Sequence, residues 1–241
     1  MEPTRPSPLD DGFRMRGASL SRLDVFSDVA LGIALVLLVV SLAIPRNFTQ
    51  LRSPTPAFTT SAICFLMLVN VWFTHYVFFR RYGLNDRLTV ALNAALLGLI
   101  LFCVYPLKFL YTTLYSWLVR YDFSPRFAAA VQINGMLVLY ALGFTTVFFL
   151  VAALYWNAWR HRDRLGLNGL ERLLTVSSIV NALGMAAVGL IACLAALLVP
   201  PGWALYSAVL YFLILPWKAL NTLYFSRKAR LLRQLVAAPT L

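Results

Sequence analysis

The sequence predicts an all-α, polytopic membrane protein with six transmembrane helices. Hydrophobic residues make up 61% of the chain and charged residues only 12%, a composition typical of proteins embedded in a bilayer. Long apolar runs are separated by short basic loops, the pattern of helices that cross a membrane in succession. No stretch alternates with a period of two residues, so we expect a bundle of helices and no strands.

Each predicted helix is an apolar run, and the six runs lie near 24–44, 57–79, 88–116, 126–158, 171–198 and 203–225. The third and fourth runs are longer than one crossing needs, so these helices must tilt, break or extend beyond the bilayer. The segment before them is polar and lacks the apolar centre of a cleaved signal peptide. We therefore expect a disordered cytoplasmic lead at 1–20, a membrane domain at 21–226 and a basic cytoplasmic tail at 227–241.

The first helix carries an acidic residue into the membrane. The apolar run from Val29 to Ile44 covers about 24 Å at about 1.5 Å per residue, less than the roughly 30 Å of the hydrocarbon core. To span, this helix must also use the residues from Val25 to Asp28. A charge at the membrane edge is costly, so Asp28 is a candidate functional residue.

Polar residues on the first three helices are expected to lie in one layer. Counting along each helix from the neighbouring arginine places Asp28, His75 and Asn93 about 7–9 Å from the same membrane edge. We predict a shared hydrogen-bonded cluster, with Trp72 one turn before His75 and with Arg22 reaching back to pair with Asp28. Such a cluster could fix the helices, sense pH through His75, or do both. The alternative is that each side chain is satisfied separately at the interface.

The net charge of +12 follows the predicted topology. Basic residues concentrate before the first helix, in the second and fourth loops and in the tail, so the positive-inside rule predicts that both termini are cytoplasmic. These charges favour contact with anionic lipid. No aromatic and basic surface accompanies them, so we expect no nucleic-acid binding.

Enzyme and metal signatures are missing from the sequence. It has no HExxH, no GxSxG, no phosphate-binding glycine loop and no pair of membrane-embedded carboxylates. The three cysteines have no metal-ligand spacing, and a single embedded histidine disfavours two-histidine haem ligation within one subunit. We expect a protein that is not an enzyme and that uses no cofactor and no metal.

An apolar stripe follows Asp28 on the first helix. Ile33, Leu37 and Val40 are spaced by four and three residues, which aligns them on one face, and Val36 flanks them. In most membrane helices such a stripe faces lipid or the protein core. It can also form a pore constriction that a partly dehydrated ion must cross. Because the sequence has no TVGYG-like filter, selectivity for potassium would need this second mechanism.

The first three helices resemble the transmembrane-protein-175 family of potassium channels. The signature is the motif RxxxFSD at the start of the first helix, formed by Arg22, Phe26, Ser27 and Asp28. Further family positions are matched by Trp72 and His75, three residues apart on the second helix, and by Asn93 on the third. The last three helices match mainly in number and length.

The resemblance implies a homotetramer whose first helices line a central pore. A chain with one six-helix unit is similar to the prokaryotic members, which implies a location in the plasma membrane. Ile33, five residues after the motif aspartate, would form the hydrophobic constriction, and Leu37 and Val40 the next layers. Arg22, Asp28 and His75 match a family network thought to hold the helices around the pore.

Val36 departs from the family pattern, because many members carry a threonine eight residues after the motif aspartate. Loss of that hydroxyl should weaken discrimination between cations. The leading hypothesis is therefore passive conduction of potassium, with other monovalent cations or protons as further permeant ions. The alternatives are a proton leak channel and a non-conducting structural or regulatory membrane subunit.

Overall fold

The computed structural model describes residues 12–17, 21–40, 56–120 and 127–237, and in these ranges its regular elements are all helices. They are α1 (Arg22–Val40), α2 (Pro56–Tyr82), α3 (Arg87–Arg120), α4 (Phe127–Arg160), α5 (Gly169–Leu198), a 3₁₀ helix (Pro201–Leu213) and α6 (Ile214–Ala237). Six segments are long and apolar enough to cross a membrane, which confirms the predicted all-α class. Residues 1–11 and 18–20 of the predicted lead, 41–44 of the predicted first helix and 238–241 of the tail lie outside the described residues.

The two longest helices, α3 and α4, run unbroken. Each has 34 residues and is therefore about 51 Å long at about 1.5 Å per residue. Each is therefore longer than the roughly 30 Å hydrocarbon core, and α3 continues through Pro106.

The last predicted helix consists of two consecutive parts with different helical geometry. Its first part, Pro201–Leu213, is a 3₁₀ helix, and α-helical geometry begins at Ile214. Pro216 has no N–H to donate to the carbonyl of Phe212, so an α-helical ladder cannot run unbroken through this point. The α-helix then continues to Ala237, well into the segment predicted as a tail.

Most helices pack against the helices that precede and follow them in the sequence. α1 lies against α2 and α3, α3 lies against α4, and α5 lies against α4, the 3₁₀ helix and α6. The start of α1, the α2–α3 turn and the α4–α5 loop share one end of the bundle, because residues 12–17 contact the last two. We call this end the basic face, since it carries Arg14, Arg16, Arg80, Arg81, Arg162 and Arg172.

Residues 12–17 form an extended segment, the N-terminal strap, across the basic face. Phe13 is buried and meets the edge of the Tyr82 ring, with centroids 5.4 Å apart. The N–H of Gly17 donates to the carbonyl of Arg80 at 3.1 Å, and a Cβ at Gly17 would overlap the carbonyl oxygen of Phe79. These six residues of the predicted lead are therefore docked on the helices.

The centre of the strap is a buried ion pair with α5. The guanidinium of Arg16 forks onto Glu171, with Nη2 2.7 Å from Oε2 and Nη1 3.0 Å from Oε1. The Glu171 side chain is only 1% exposed and also accepts the backbone N–H groups of Arg14 and Asn168. Asn168 in turn caps the N-terminus of α5 by accepting the N–H of Glu171. Glu171 thus joins the strap to the start of α5.

The α2–α3 turn is tied to the end of α4 through Asp86. Its carboxylate accepts hydrogen bonds from the Thr89 hydroxyl and from Nδ2 of Asn157, the latter at 3.2 Å to each oxygen. Burial acts to raise the pKa of Asp86, but these hydrogen bonds and the nearby His161 outweigh it and hold the pKa below its usual value. The ionised carboxylate therefore stabilises this junction.

Because the pKa of Asp86 is lower in the folded chain than in the unfolded one, its contribution to stability is present above the usual pKa of 3.8 and is lost as the pH falls through the folded-state value. We expect the wild type to lose stability on acidification partly through Asp86, and Asp86→Asn to abolish that part of the loss. The measurement is the denaturant midpoint at pH 3 relative to pH 6. Asp163→Asn, on a side chain that is 70% exposed, is the control and should keep the wild-type loss. An Asp86→Asn profile equal to that of the wild type would contradict the assignment.

Candidate functional site

Helix α1 has one side packed against the chain and one side uncovered. Ser27, Leu31, Ala34 and Leu38 are spaced by four, three and four residues and are buried against α2 and α3. This spacing places them on one face of the helix. Small residues on this face, Ala34 above all, let the helices approach closely.

The opposite side of α1 is apolar and not covered by the described part of the chain. Val29, Ile33, Val36 and Val40 are between 49% and 74% exposed. Leu37 is half-buried and packs against the core, because the four residues that separate it from Ile33 turn it about 40° towards the buried face. Three of the four predicted constriction residues therefore share the uncovered side, and Leu37 lies at its edge.

A buried chain of hydrogen bonds joins α1, α2 and α3. Nε2 of His75 donates to Oδ1 of Asn93 at 2.6 Å, and Nδ2 of Asn93 donates to the Ser27 hydroxyl at 2.9 Å. The hydroxyl of Ser27 donates to the carbonyl of Leu23 at 2.7 Å. All three side chains are at most 6% exposed. The structure thus brings together two of the three residues predicted to form the layer, and adds Ser27.

Asp28 lies beside this chain of hydrogen bonds and has a different partner. Its Oδ1 accepts the indole N–H of Trp72 at 2.9 Å, and both residues are exposed on the surface of the single chain. Trp72 also stacks on Tyr76, with centroids 5.7 Å apart. The predicted single cluster is therefore two neighbouring contacts, a buried one through Asn93 and an exposed one through Asp28.

Arg22, which we expect to be able to reach Asp28, forms no ion pair with it within the described chain. Six residues along an α-helix turn a side chain by about 240°, so Arg22 and Asp28 point in directions about 120° apart. Both are exposed, as is Phe26 at 58%. Within one chain, then, the motif divides into one buried residue, Ser27, and three residues that face outward.

The anchoring pair Arg16 and Glu171 was not predicted. Asn168-x-x-Glu171 has the spacing of a capping box, which indicates the start of α5 and a role for Glu171 there. Nothing in the sequence indicates its partner, because Arg16 is separated from it by 155 positions. Helix α1 begins five residues after Gly17, the last residue of the strap.

Asn93 is the residue on which the buried chain of hydrogen bonds depends. We expect Asn93→Leu to lower the free energy of unfolding by about 1–3 kcal/mol, because it leaves His75 without its acceptor in a buried site. Equilibrium unfolding in detergent measures this loss. Thr74→Val is the control, since the Thr74 hydroxyl bonds only to the carbonyl of Asn70 in its own helix. Equal losses in the two variants would contradict the proposed importance of Asn93.

The fold and this site define a multi-pass membrane protein whose first helix is held by a polar network on one side and bare on the other. Residues 22–106 match the family described as endosomal/lysosomal potassium channel TMEM175. A protein of Marivirga tractuosa named "Potassium channel" is 35% identical over 237 residues, with 94% of this chain and 96% of that protein covered.

Solved structures are similar along most of the chain. A variant of the potassium channel MtTMEM175, crystallised with a nanobody–MBP fusion protein, matches with a TM-score of 0.74 and 32% identity, over 91% of this chain and 99% of that one. A TMEM175 homologue from Chamaesiphon minutus, described as a lysosomal potassium-selective channel homologue, shares the fold with a TM-score of 0.54 and 19% identity, over 86% and 96% of the two chains. The chain belongs to the TMEM175 family, which is a family of potassium channels and not of enzymes.

Proposed function

We propose that this protein is a potassium-permeable cation channel in which α1 of each of four subunits lines a central pore. The observation that carries the proposal is the uncovered apolar side of α1, opposite the face that packs on α2 and α3. The number of subunits comes from the resemblance to the prokaryotic members of the family. Conduction is passive and uses no cofactor.

The charges on α1 argue that its uncovered side does not face lipid. Asp28 and Arg22 are both exposed near the N-terminal end of α1. Arg22 is on the same side of the helix as Ile33, and Asp28 lies at the flank of that side, where it bonds Trp72. An ionised side chain in contact with hydrocarbon is costly, whereas contact with a neighbouring subunit or with water in a pore is not. If four subunits surround a central pore, each α1 contacts both a neighbouring subunit and the water in the pore.

The uncovered apolar residues form the narrow part of the proposed pore. Ile33 is the constriction, Val36 and Val40 form further layers, and Leu37 contributes from the edge. An apolar ring of this kind must be crossed by a partly dehydrated ion. Since Val36 offers no hydroxyl to that ion, we propose cation permeability in which potassium is favoured but not exclusive.

The polar residues below the constriction have a supporting role in this proposal. Ser27, His75 and Asn93 fix α1 against α2 and α3, and Asp28 with Trp72 positions the contact with a neighbouring subunit. The described charges on the basic face support an orientation with both termini in the cytoplasm of a prokaryotic cell, and the membrane domain spans 21–226.

A flux assay in liposomes tests the function. Purified protein is reconstituted with potassium, sodium or a proton gradient as the driving ion, and empty liposomes serve as the control. We expect potassium flux above that of sodium. Flux of protons alone would support a proton leak, and the absence of any ion flux from correctly folded protein would support a structural subunit; either result would overturn the proposal.

A further inference from the structure

A cavity of about 340 Å³ lies between α2, α3, α4 and α6, and Met185 on α5 also lines it. Its wall is almost entirely apolar and includes Met67, Val104 and Phe144. Pockets of this size and character, with few polar groups, are typical of sites for small apolar or amphipathic ligands. The cavity is separate from the buried face of α1, which contributes no residue to its wall.

The cavity opens on the side of the bundle and not at its ends. Ile63 and Leu66, on α2, line it and are 40% and 67% exposed. Both lie in the part of α2 that is apolar enough to cross the membrane, Ser61–Tyr82. A molecule that enters here comes from the hydrocarbon region of the bilayer.

Two polar side chains line the end of the cavity that lies nearer the basic face. They are Asn70 on α2 and Lys218 on α6. Within the described residues, Lys218 has no ion pair and no hydrogen-bond partner. A lysine in a membrane-spanning helix needs an anion or a route to water, and an anionic ligand in this cavity would satisfy that need.

We propose that this cavity binds one acyl chain of an anionic phospholipid whose phosphate pairs with Lys218 and accepts a hydrogen bond from Asn70. Lys218 lies nine residues before Arg227, about 13 Å along α6, and its flexible stem shortens that distance to the basic face. From there the cavity extends away from the basic face towards Ile63 and Leu107. The acyl chain therefore lies in the direction natural to a lipid of the leaflet at the basic face.

Charge complementarity favours a lipid over a second copy of this chain as the occupant. The carboxylates on the described membrane helices are Asp24 and Asp28 on α1 and Glu171 on α5, and the last two are bonded to Trp72 and Arg16. Another copy thus has little to offer Lys218, whereas a phospholipid supplies the anion and the chain together. The cations Arg227, Lys228 and Arg230 on the same helix concentrate anionic lipid at this edge.

Lipid titration of the delipidated, detergent-purified protein, followed by native mass spectrometry, tests the proposal without any measurement of current. Phosphatidylglycerol and phosphatidylcholine with identical acyl chains are compared. We expect tighter binding of phosphatidylglycerol, and Lys218→Met should weaken it roughly five-fold. The same substitution should weaken phosphatidylcholine less, because its choline cation offsets the charge of its phosphate. Lys218→Arg should keep the preference.

Two further variants separate the cavity from the general attraction of a basic protein for anionic lipid. Lys228→Met removes the same charge from the same helix outside the cavity and should keep most of the preference. Ile63→Trp narrows the opening and should weaken the binding of both lipids. Equal binding of the two lipids by the wild type, or an unchanged preference in Lys218→Met, would overturn the proposal, and the second result is the one expected if a neighbouring subunit covers the cavity.

Discussion

Replacing Ile33 with asparagine is expected to raise potassium flux through the reconstituted protein about ten-fold and to reduce its preference for potassium over sodium. Ile33 is 49% exposed on the uncovered side of α1. An amide in an apolar ring offers a partly dehydrated ion a dipole, and a barrier lowered by about 1.4 kcal/mol corresponds to a ten-fold faster rate. Liposome flux with each cation, at equal protein content, measures the effect.

Val39→Asn is the matched control for this experiment. Val39 is also on α1 and is 56% exposed, but the six residues from Ile33 turn it about 120° away around the helix. Its substitution introduces the same polar group at a position that we place away from the pore axis. Equal effects of the two variants on flux would contradict the assignment of Ile33 as the constriction.

Replacing Arg16 with alanine is expected to lower the free energy of unfolding by about 3 kcal/mol. The partner, Glu171, is 1% exposed and Arg16 is 15% exposed, so the substitution leaves a buried carboxylate without its cation. Breaking a buried ion pair by removing one partner costs about 3–5 kcal/mol, and we expect the low end because two backbone N–H groups still bond Glu171. Equilibrium unfolding in detergent, followed by tryptophan fluorescence, measures the loss.

The exposed pair between Arg172 and Asp163 provides the comparison. Its atoms are 2.8 Å apart, close to the 2.7 Å of the buried pair, but the side chains are 44% and 70% exposed, so Arg172→Ala should cost about 1 kcal/mol or less. In the double variant Arg16→Ala, Glu171→Ala, the loss should be smaller than the sum of the two single losses, because the second substitution removes the unpaired charge. A loss in Arg16→Ala no larger than that in Arg172→Ala would refute the importance of the buried pair.

The helices could be predicted from the sequence because the bilayer imposes their length and apolar character residue by residue. The contact of His75 with Asn93 could be predicted too, since both depths follow from counting along helices. Arg22 and Asp28 do not pair within the described chain, because similar depth does not give two side chains the same direction around the helix axis. The change from 3₁₀ to α geometry near Pro216 depends on single backbone hydrogen bonds, to which hydropathy is insensitive.

The N-terminal strap and the cavity around Lys218 could not be predicted, because both depend on contacts between distant parts of the sequence. The segment that contains Phe13 is short and polar enough to resemble a disordered lead, and its order depends on Glu171, far along the chain. The cavity around Lys218 is lined by residues of five helices, and no local pattern in the sequence indicates that they meet. Features that depend on contacts between distant segments require the three-dimensional arrangement.

The strap also determines when the start of α1 can reach its final position during synthesis. Phe13 and Arg16 leave the ribosome before α1, but Glu171 follows four membrane helices later. Contacts between residues so far apart form late in folding, because the intervening chain must first be placed. Although α1 is synthesised first, the start of α1 is therefore among the last parts to reach its final position. A chain that ends before α5 lacks Glu171, so the strap before α1 has no partner for Arg16.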